Sequence, residues 1–386
     1  MADLAALLSD AILPNTNSLN SVFAGALGAA GFRLNDDPEY LAKAQILHDL
    51  PEAKKVLVIL VDGFGAMQFH DYRGYLPTLR NFSRISELTT VVPSTTSTAI
   101  TAFGTGATAG ATGVAGYSVK SPYTEKVFNL ISWEGAGTSI ENWQTVPTLF
   151  ERLGSEGKNT CIVQAPKYLN SGLSRAALRG TTIEVHPEQD QRLFLGAKWL
   201  ANRDSGVVYV HWKDVDASGH KFGVGSDQWL AAIEEFDAVL KRALKIVPAG
   251  TLILVTADHG MINAGEKLDL ADSTVLNEGV LEVAGEERAL HLYTEAFRAD
   301  DVAQRYRDEL GERAWVLTRN ELAESGIVGD INKSHLLVFG DVIVFSRKNY
   351  GIVDSRRQTE SAIALKGVHG SLTAQEMYIP MLVEVK

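Results

Sequence analysis

A mostly parallel α/β sheet with helices on both faces is the fold class this sequence predicts, and three observations predict it. First, four apolar runs, "KVLVILV" (55–61), "TCIVQAP" (160–166), "GVVYVHW" (206–212) and "GTLILVTA" (250–257), do not alternate polar with apolar residues. Strands buried on both faces read this way, as parallel sheets require. Second, helix-like patterns separate the runs, for example 146–157 and 226–247. In the latter, Trp229, Ile233, Phe236, Leu240 and Leu244 recur every three or four residues. Third, 386 residues with 45% hydrophobic and 22% charged content are enough to bury a large core.

Taken in order, residues 1–45 read as an N-terminal helical extension. Asp3 comes early, no lysine or arginine precedes Arg33, and Asp10 and Pro14 interrupt the apolar content. A secretory leader needs a basic start and an unbroken apolar core, and no run reaches membrane-spanning length, so a cytoplasmic location with no membrane partner is expected. Residues 46–262 and 346–386 read as the α/β core. Between them, 263–345 has a different texture: an acidic, broken stretch, then the helical "DDVAQRYRDELGERA" and the strand-like "DVIVFS". It reads as an inserted, smaller α+β cap region. The net charge of −11 gives no basic surface for nucleic acid. The single cysteine, Cys161, excludes an intramolecular disulfide and reads as a packed thiol in a buried strand.

Acids fall where these strands end. "KVLVILVDGFG" runs into Asp62, "GTLILVTADHG" into Asp258 and His259, and "GVVYVHWKDVDASGH" into Asp214, Asp216 and His220. In open parallel sheets the ligand site lies outside the carboxyl ends of the strands. Singly, an aspartate after a strand is a common turn or cap residue. Several at one edge repel one another unless cations neutralise them, so together they point to a metal site. Aspartate with histidine and no cysteine suits zinc, manganese or iron. His369, in the Gly-flanked "GVHGS", is a further candidate among nine histidines. His211 and His291 sit in strand-like positions and read as structural.

The ordered set "VDGFG", "PSTTSTAITAFGTG", "DVDASGHKFG", "TADHGM" and "GVHGS" resembles the alkaline phosphatase superfamily, and within it the type I phosphodiesterase/nucleotide pyrophosphatase family. The resemblance runs over most of the chain and implies two divalent metal ions, zinc first, with manganese or iron as alternatives. It implies that Asp62, Asp258 and His259 hold one ion together with a nucleophile oxygen, and that Asp216, His220 and His369 hold the second. Asp214 has no ligand role in the family pattern. The family's threonine nucleophile, counted from Pro93 and Gly106, corresponds to Thr96, with Thr95 as its neighbouring competitor. Thr96 then stands near the start of a helix, where free N–H groups bind phosphoryl oxygens.

The implied activity is two-metal hydrolysis of a phosphodiester or nucleotide phosphoanhydride in a small-molecule substrate, through a phospho-threonine intermediate. Two departures bear on substrate class. No asparagine falls between Thr96 and Gly106, and no arginine is identified that would clamp a terminal phosphate, which favours diesters. Phosphonate hydrolases, phosphomonoesterases and sulfatases share the framework, although "PSTTST" lacks the Cys or Arg of sulfatase motifs. A catalytically degenerate metal-binding protein is the non-enzyme alternative.

Overall fold

The computed structural model describes residues 4–154 and 157–386. Asp3, and Ser155 and Glu156 at the end of the helix expected over 146–157, lie outside the described residues; the helix itself spans Leu149–Gly154. Eleven strands carry the architecture: β1 (Lys55–Val61), β2 (Arg84–Thr89), β3 (Thr160–Gln164), β4 (Thr182–Val185), β5 (Gly206–Trp212), β6 (Thr251–Thr256), β7 (Val280–Glu286), β8 (Ala289–Thr294), β9 (Ala314–Thr318), β10 (Val342–Ser346) and β11 (Tyr378–Val385). Seven of them form the central sheet in the order β2-β11-β6-β1-β5-β3-β4. Neighbours from β6 to β4 pair in parallel, and β11 runs antiparallel to both β6 and β2. This is the mostly parallel α/β class expected from the apolar runs.

Side-chain parity in β5 shows how the two faces are covered. Val208 and Val210 pack beside Gly196 of the helix Gln189–Ala201, and Trp212 meets Phe236 of the helix Asp227–Ala243 in a tilted ring contact at 5.1 Å. Tyr209 points the other way, onto Phe103 of the helix Thr96–Thr105 at 4.9 Å. Phe103 in turn meets Phe23 of the helix Leu19–Ala29, nine of whose residues are buried. That N-terminal helix is therefore a layer of the core. Cys161 is buried in β3, and burial pushes its thiol up to about 12.

The second sheet, β7-β8-β10-β9, is antiparallel throughout. The helix Ala299–Leu310 covers one face through Val302 and Tyr306. Trp315, Leu317 and Ile343 pack on Val114, Phe128 and Trp143, so the region before β3 is the other layer. The stretch 280–294, acidic and broken in sequence, is a β-hairpin. The strand-like position of His291 is borne out, but the first strand falls short of strict alternation and the turn has no Asn-Gly or Asp-Gly pair, so the hairpin as a whole was not announced. Among the described residues, no helix is long and apolar enough to cross a membrane.

Candidate active site

Register brings the acids together. Val61 is level with Trp212 of β5, and Leu60 with Thr256 of β6, so all three chains leave the sheet at one edge. Asp62 follows β1 directly, and Asp258 and His259 follow β6. The turn between Asp62 and Phe64 needs Gly63, whose φ is +69° and where a Cβ would stand 3.0 Å from that of Asp216. Its N–H donates to Asp258 Oδ1 at 3.0 Å, as does the N–H of His259. Beyond β5 the chain forms the helix Asp214–Phe222, which places Asp216 and His220 four residues apart on one face. Asp214 points away and pairs with Lys213 at 2.9 Å. His369 arrives on the loop before β11.

These residues form two groups, Asp62 with Asp258 and His259, and Asp216 with His220 and His369. In the first, His259 Nε2 lies 3.3 Å from Asp258 Oδ2 and 3.7 Å from Asp62 Oδ1. In the second, Asp216 Oδ2 is 3.3 Å from His220 Nε2 and Asp216 Oδ1 is 3.7 Å from His369 Nε2. The groups touch: the His259 and His369 rings stack with centroids 3.7 Å apart.

The donor chemistry fits metal ions. Each histidine directs Nδ1 at a backbone carbonyl: His259 at Gly260, His220 at Gly367 and His369 at Ser94, between 2.8 and 3.1 Å. A carbonyl only accepts, so Nδ1 carries the proton and each Nε2 lone pair faces the carboxylates. Lone pairs opposed to carboxylate oxygens repel unless a cation stands between them. Asp258 Oδ2 and Asp216 Oδ1 are buried without any hydrogen-bond donor, and such atoms are costly unless a cation satisfies them. Burial, then the Asp258 and Asp216 charges, push Asp62 far above the usual carboxylate range. Burial and the neighbouring His259 and His220 hold His369 far below the usual imidazole range, neutral and ready to ligate.

The hydroxyl-rich stretch resolves residue by residue. Ser94 Oγ donates to Ser371 O, Ser97 Oγ to Gly116 O, Thr101 Oγ1 to Ser97 O and Thr105 Oγ1 to Thr101 O. Thr95 Oγ1 donates to Glu286 Oε2 at 3.0 Å. Thr96 alone turns its hydroxyl to the first acidic group, with Oγ1 3.1 Å from His259 Nε2 and 3.5 Å from Asp62 Oδ1. It is the first residue of the helix Thr96–Thr105, after Thr95 as N-cap. The next N–H groups of that first turn have no intrahelical partner.

Two features were missed in the sequence. His211 lies on the same face of β5 as Tyr209, two residues earlier, so its imidazole meets the site. Its Nε2 is 3.2 Å from Asp62 Oδ2 but out of line for a hydrogen bond, and burial lowers its pKa to about 4. Strand parity was the available signal. The other is the β7–β8 turn. Glu286 holds Thr95, and Glu287 accepts from Lys267, which also donates to Ile363 O and Leu365 O. Arg288 forms a fully buried pair with Glu376, whose carboxylate also accepts from Ser371 N–H and Thr373 Oγ1. Three consecutive side chains thus brace the loops of Thr96, of 363–365 and of His369. A cavity of about 660 Å3 opens from Thr96 between the two sheets and includes Asp62, His220, His369 and Glu286 in its wall.

Two carboxylate–imidazole groups at the carboxyl edge of a doubly wound α/β sheet, with a threonine at a helix start beside them, define a class of site. The chain belongs to the type I phosphodiesterase/nucleotide pyrophosphatase family, whose model matches residues 56–372. In fold it is similar to murine ectonucleotide pyrophosphatase/phosphodiesterase 5, at 16% identity and a TM-score of 0.66, covering 86% of this chain and 88% of that one. It is equally similar to phosphonoacetate hydrolase from Sinorhizobium meliloti, solved with phosphonoformate, at 18% identity and a TM-score of 0.66 over 86% and 90% of the two chains. GPI ethanolamine phosphate transferase 3 of Schizosaccharomyces pombe is 25% identical over 136 residues, which are 34% of this chain but only 14% of that protein.

Proposed function

We propose that this protein is a two-metal hydrolase of phosphodiester or phosphoanhydride bonds, acting through Thr96. The observation that carries this reading is the isolation of the Thr96 hydroxyl: it alone in its stretch faces the Asp62, Asp258 and His259 group, which stacks on the Asp216, His220 and His369 group. Asp62, Asp258 and His259, with Thr96, would hold one ion, and Asp216, His220 and His369 the other. The carboxylate and imidazole donors suit zinc, with manganese or iron as alternatives. When bound, divalent ions supply Lewis-acid charge that acidifies a coordinated hydroxyl and offsets developing negative charge on phosphoryl oxygens.

The chain's own residues do the rest. Thr96 Oγ1 gives up its proton to solvent and attacks phosphorus, forming an Oγ1–P bond as the bond to the leaving oxygen breaks. The expelled oxygen takes a proton from water. N–H groups at the start of the helix Thr96–Thr105 receive the phosphoryl oxygens. Water then cleaves the phospho-threonine and restores the hydroxyl. Support comes from a murine relative in fold, 17% identical, whose inactive Thr-to-Ala variant was solved with AMP.

Thr96→Ala tests the reading. Hydrolysis of bis(4-nitrophenyl) phosphate falls by roughly a thousandfold or more, while metal content measured by mass spectrometry is unchanged. A variant that keeps most of its activity overturns the assignment of Thr96. Chelation abolishes turnover and added zinc or manganese restores it.

A further inference from the structure

We propose that the cavity beyond Thr96 receives an apolar alkyl or aryl group, so that the substrate is a phosphodiester with one lipophilic, uncharged esterifying group. The inference rests on the phosphodiester chemistry proposed above and narrows its substrate class. A phosphoryl group occupies only a small part of about 660 Å3, a volume in the range of sites for drug-sized ligands. The wall is supplied by several elements: Ile100 from the helix Thr96–Thr105, Ile131 from the loop after the strand Val127–Asn129, Leu173 and Leu178 from the segment after β3, and Leu290 from β8. Tyr117 and Val127, 47% and 36% exposed, open onto the same space, and an apolar group would cover them.

Charge points the same way. Among the described residues, Arg357 is the only lysine or arginine in the wall. Its guanidinium is engaged by Glu282 and by Asp354 at 3.3 Å. Glu286, Glu287 and Asp354 also stand in the wall. Glu287 is paired with Lys267 and Asp354 with Arg356 and Arg357, so a second phosphate or a carboxylate on the substrate finds no unpaired guanidinium or ammonium among the described wall residues. Polyphosphates and phosphonocarboxylates are therefore poor occupants, whereas an alkyl chain or ring loses only its contact with water.

The test is a series of alkyl 4-nitrophenyl phosphates from methyl to hexyl, turned over by the metal-loaded protein. The expected kcat/KM rises about three- to fourfold per methylene, the transfer value of a buried CH2. ATP and phosphonoacetate are turned over less well than the hexyl diester. Leu173→Asp and, separately, Ile131→Asp, both at half-buried positions in the wall, lower kcat/KM for the hexyl ester more than for the methyl ester and so flatten the series. A flat or falling series, or preference for ATP or phosphonoacetate, overturns the proposal. Calorimetric binding of methyl- and hexylphosphonate to the metal-loaded Thr96→Ala protein decides the pocket without turnover. Tighter binding of the hexyl compound upholds it, and equal binding overturns it. If no diester is hydrolysed in a Thr96-dependent way yet hexylphosphonate binds tighter, the reaction reading fails and the pocket assignment stands.

Discussion

At the scale of single residues, the site is organised by what each polar atom lacks. Thr96 differs from Ser94, Thr95, Ser97, Thr101 and Thr105, which donate to backbone carbonyls or to Glu286, because its hydroxyl faces only the acidic group. The same bookkeeping assigns the histidines, whose Nδ1 atoms are already committed to carbonyls. Asp258→Asn keeps the shape of the first group but removes a charge that a cation needs. The variant loses metal, at least tenfold in affinity by the scale of even outer-sphere changes, and titration with zinc in a competing chelator measures it. Asp214→Asn, at a half-buried position where the carboxylate pairs with Lys213, leaves metal affinity unchanged. The two aspartates lie after strands in similar company in the sequence, and the helix Asp214–Phe222 separates their fates.

Among elements, the β7–β8 hairpin contributes most that local pattern did not reveal. Its turn residues Glu286, Glu287 and Arg288 reach the loops of Thr96, of 363–365 and of His369. Arg288 and Glu376 are both fully buried, and the guanidinium also donates to Ser346 O, Lys348 O and Tyr350 O. Removing one partner of such a pair strands the other charge in the interior. Arg288→Ala is expected to cost about 3–5 kcal/mol, read as a lower urea midpoint with unchanged slope. The helix Asp227–Ala243, by contrast, was legible: Ser226 caps it by accepting from Trp229 N–H, and its three-and-four spacing faces the sheet as expected.

Across the whole molecule, buried neutral histidines set the acid limit. His48 and His291, which belong to neither of the two carboxylate–imidazole groups, are both pushed down to about 4, in each case chiefly by burial. His48 contacts Ser21 Oγ at 2.8 Å and His291 Nε2 faces Ala115 O at 2.7 Å. A pKa below the ordinary 6.5 means that the unfolded chain binds the proton more readily than the folded one. Stability is therefore full above about pH 6.5 and is lost as pH falls toward about 4, by roughly 3 kcal/mol for each group. Urea unfolding at pH 7 and pH 5 measures this fall, and His48→Gln reduces it.

The sequence by itself determined the sheet class, the four central strands, the edge at which the acids emerge and the candidate ligands. These follow from local rules: an uninterrupted apolar run marks a strand buried on both faces, and a polar residue after it lies at the strand's end. The grouping of Asp62 with Asp258, and of Asp216 with His369 from 153 residues away, was implied by the family resemblance, and the tertiary structure supplies the contacts that bring each group together. Only the tertiary structure decided that His211 faces the site, that the N-terminal helix belongs to the core, and that the 280–294 hairpin braces the Thr96 and His369 loops. The physical reason is that these outcomes depend on strand register, on which face each helix covers, and on contacts between residues distant in the chain. Periodicity encodes how a segment folds locally, but not which partner it meets.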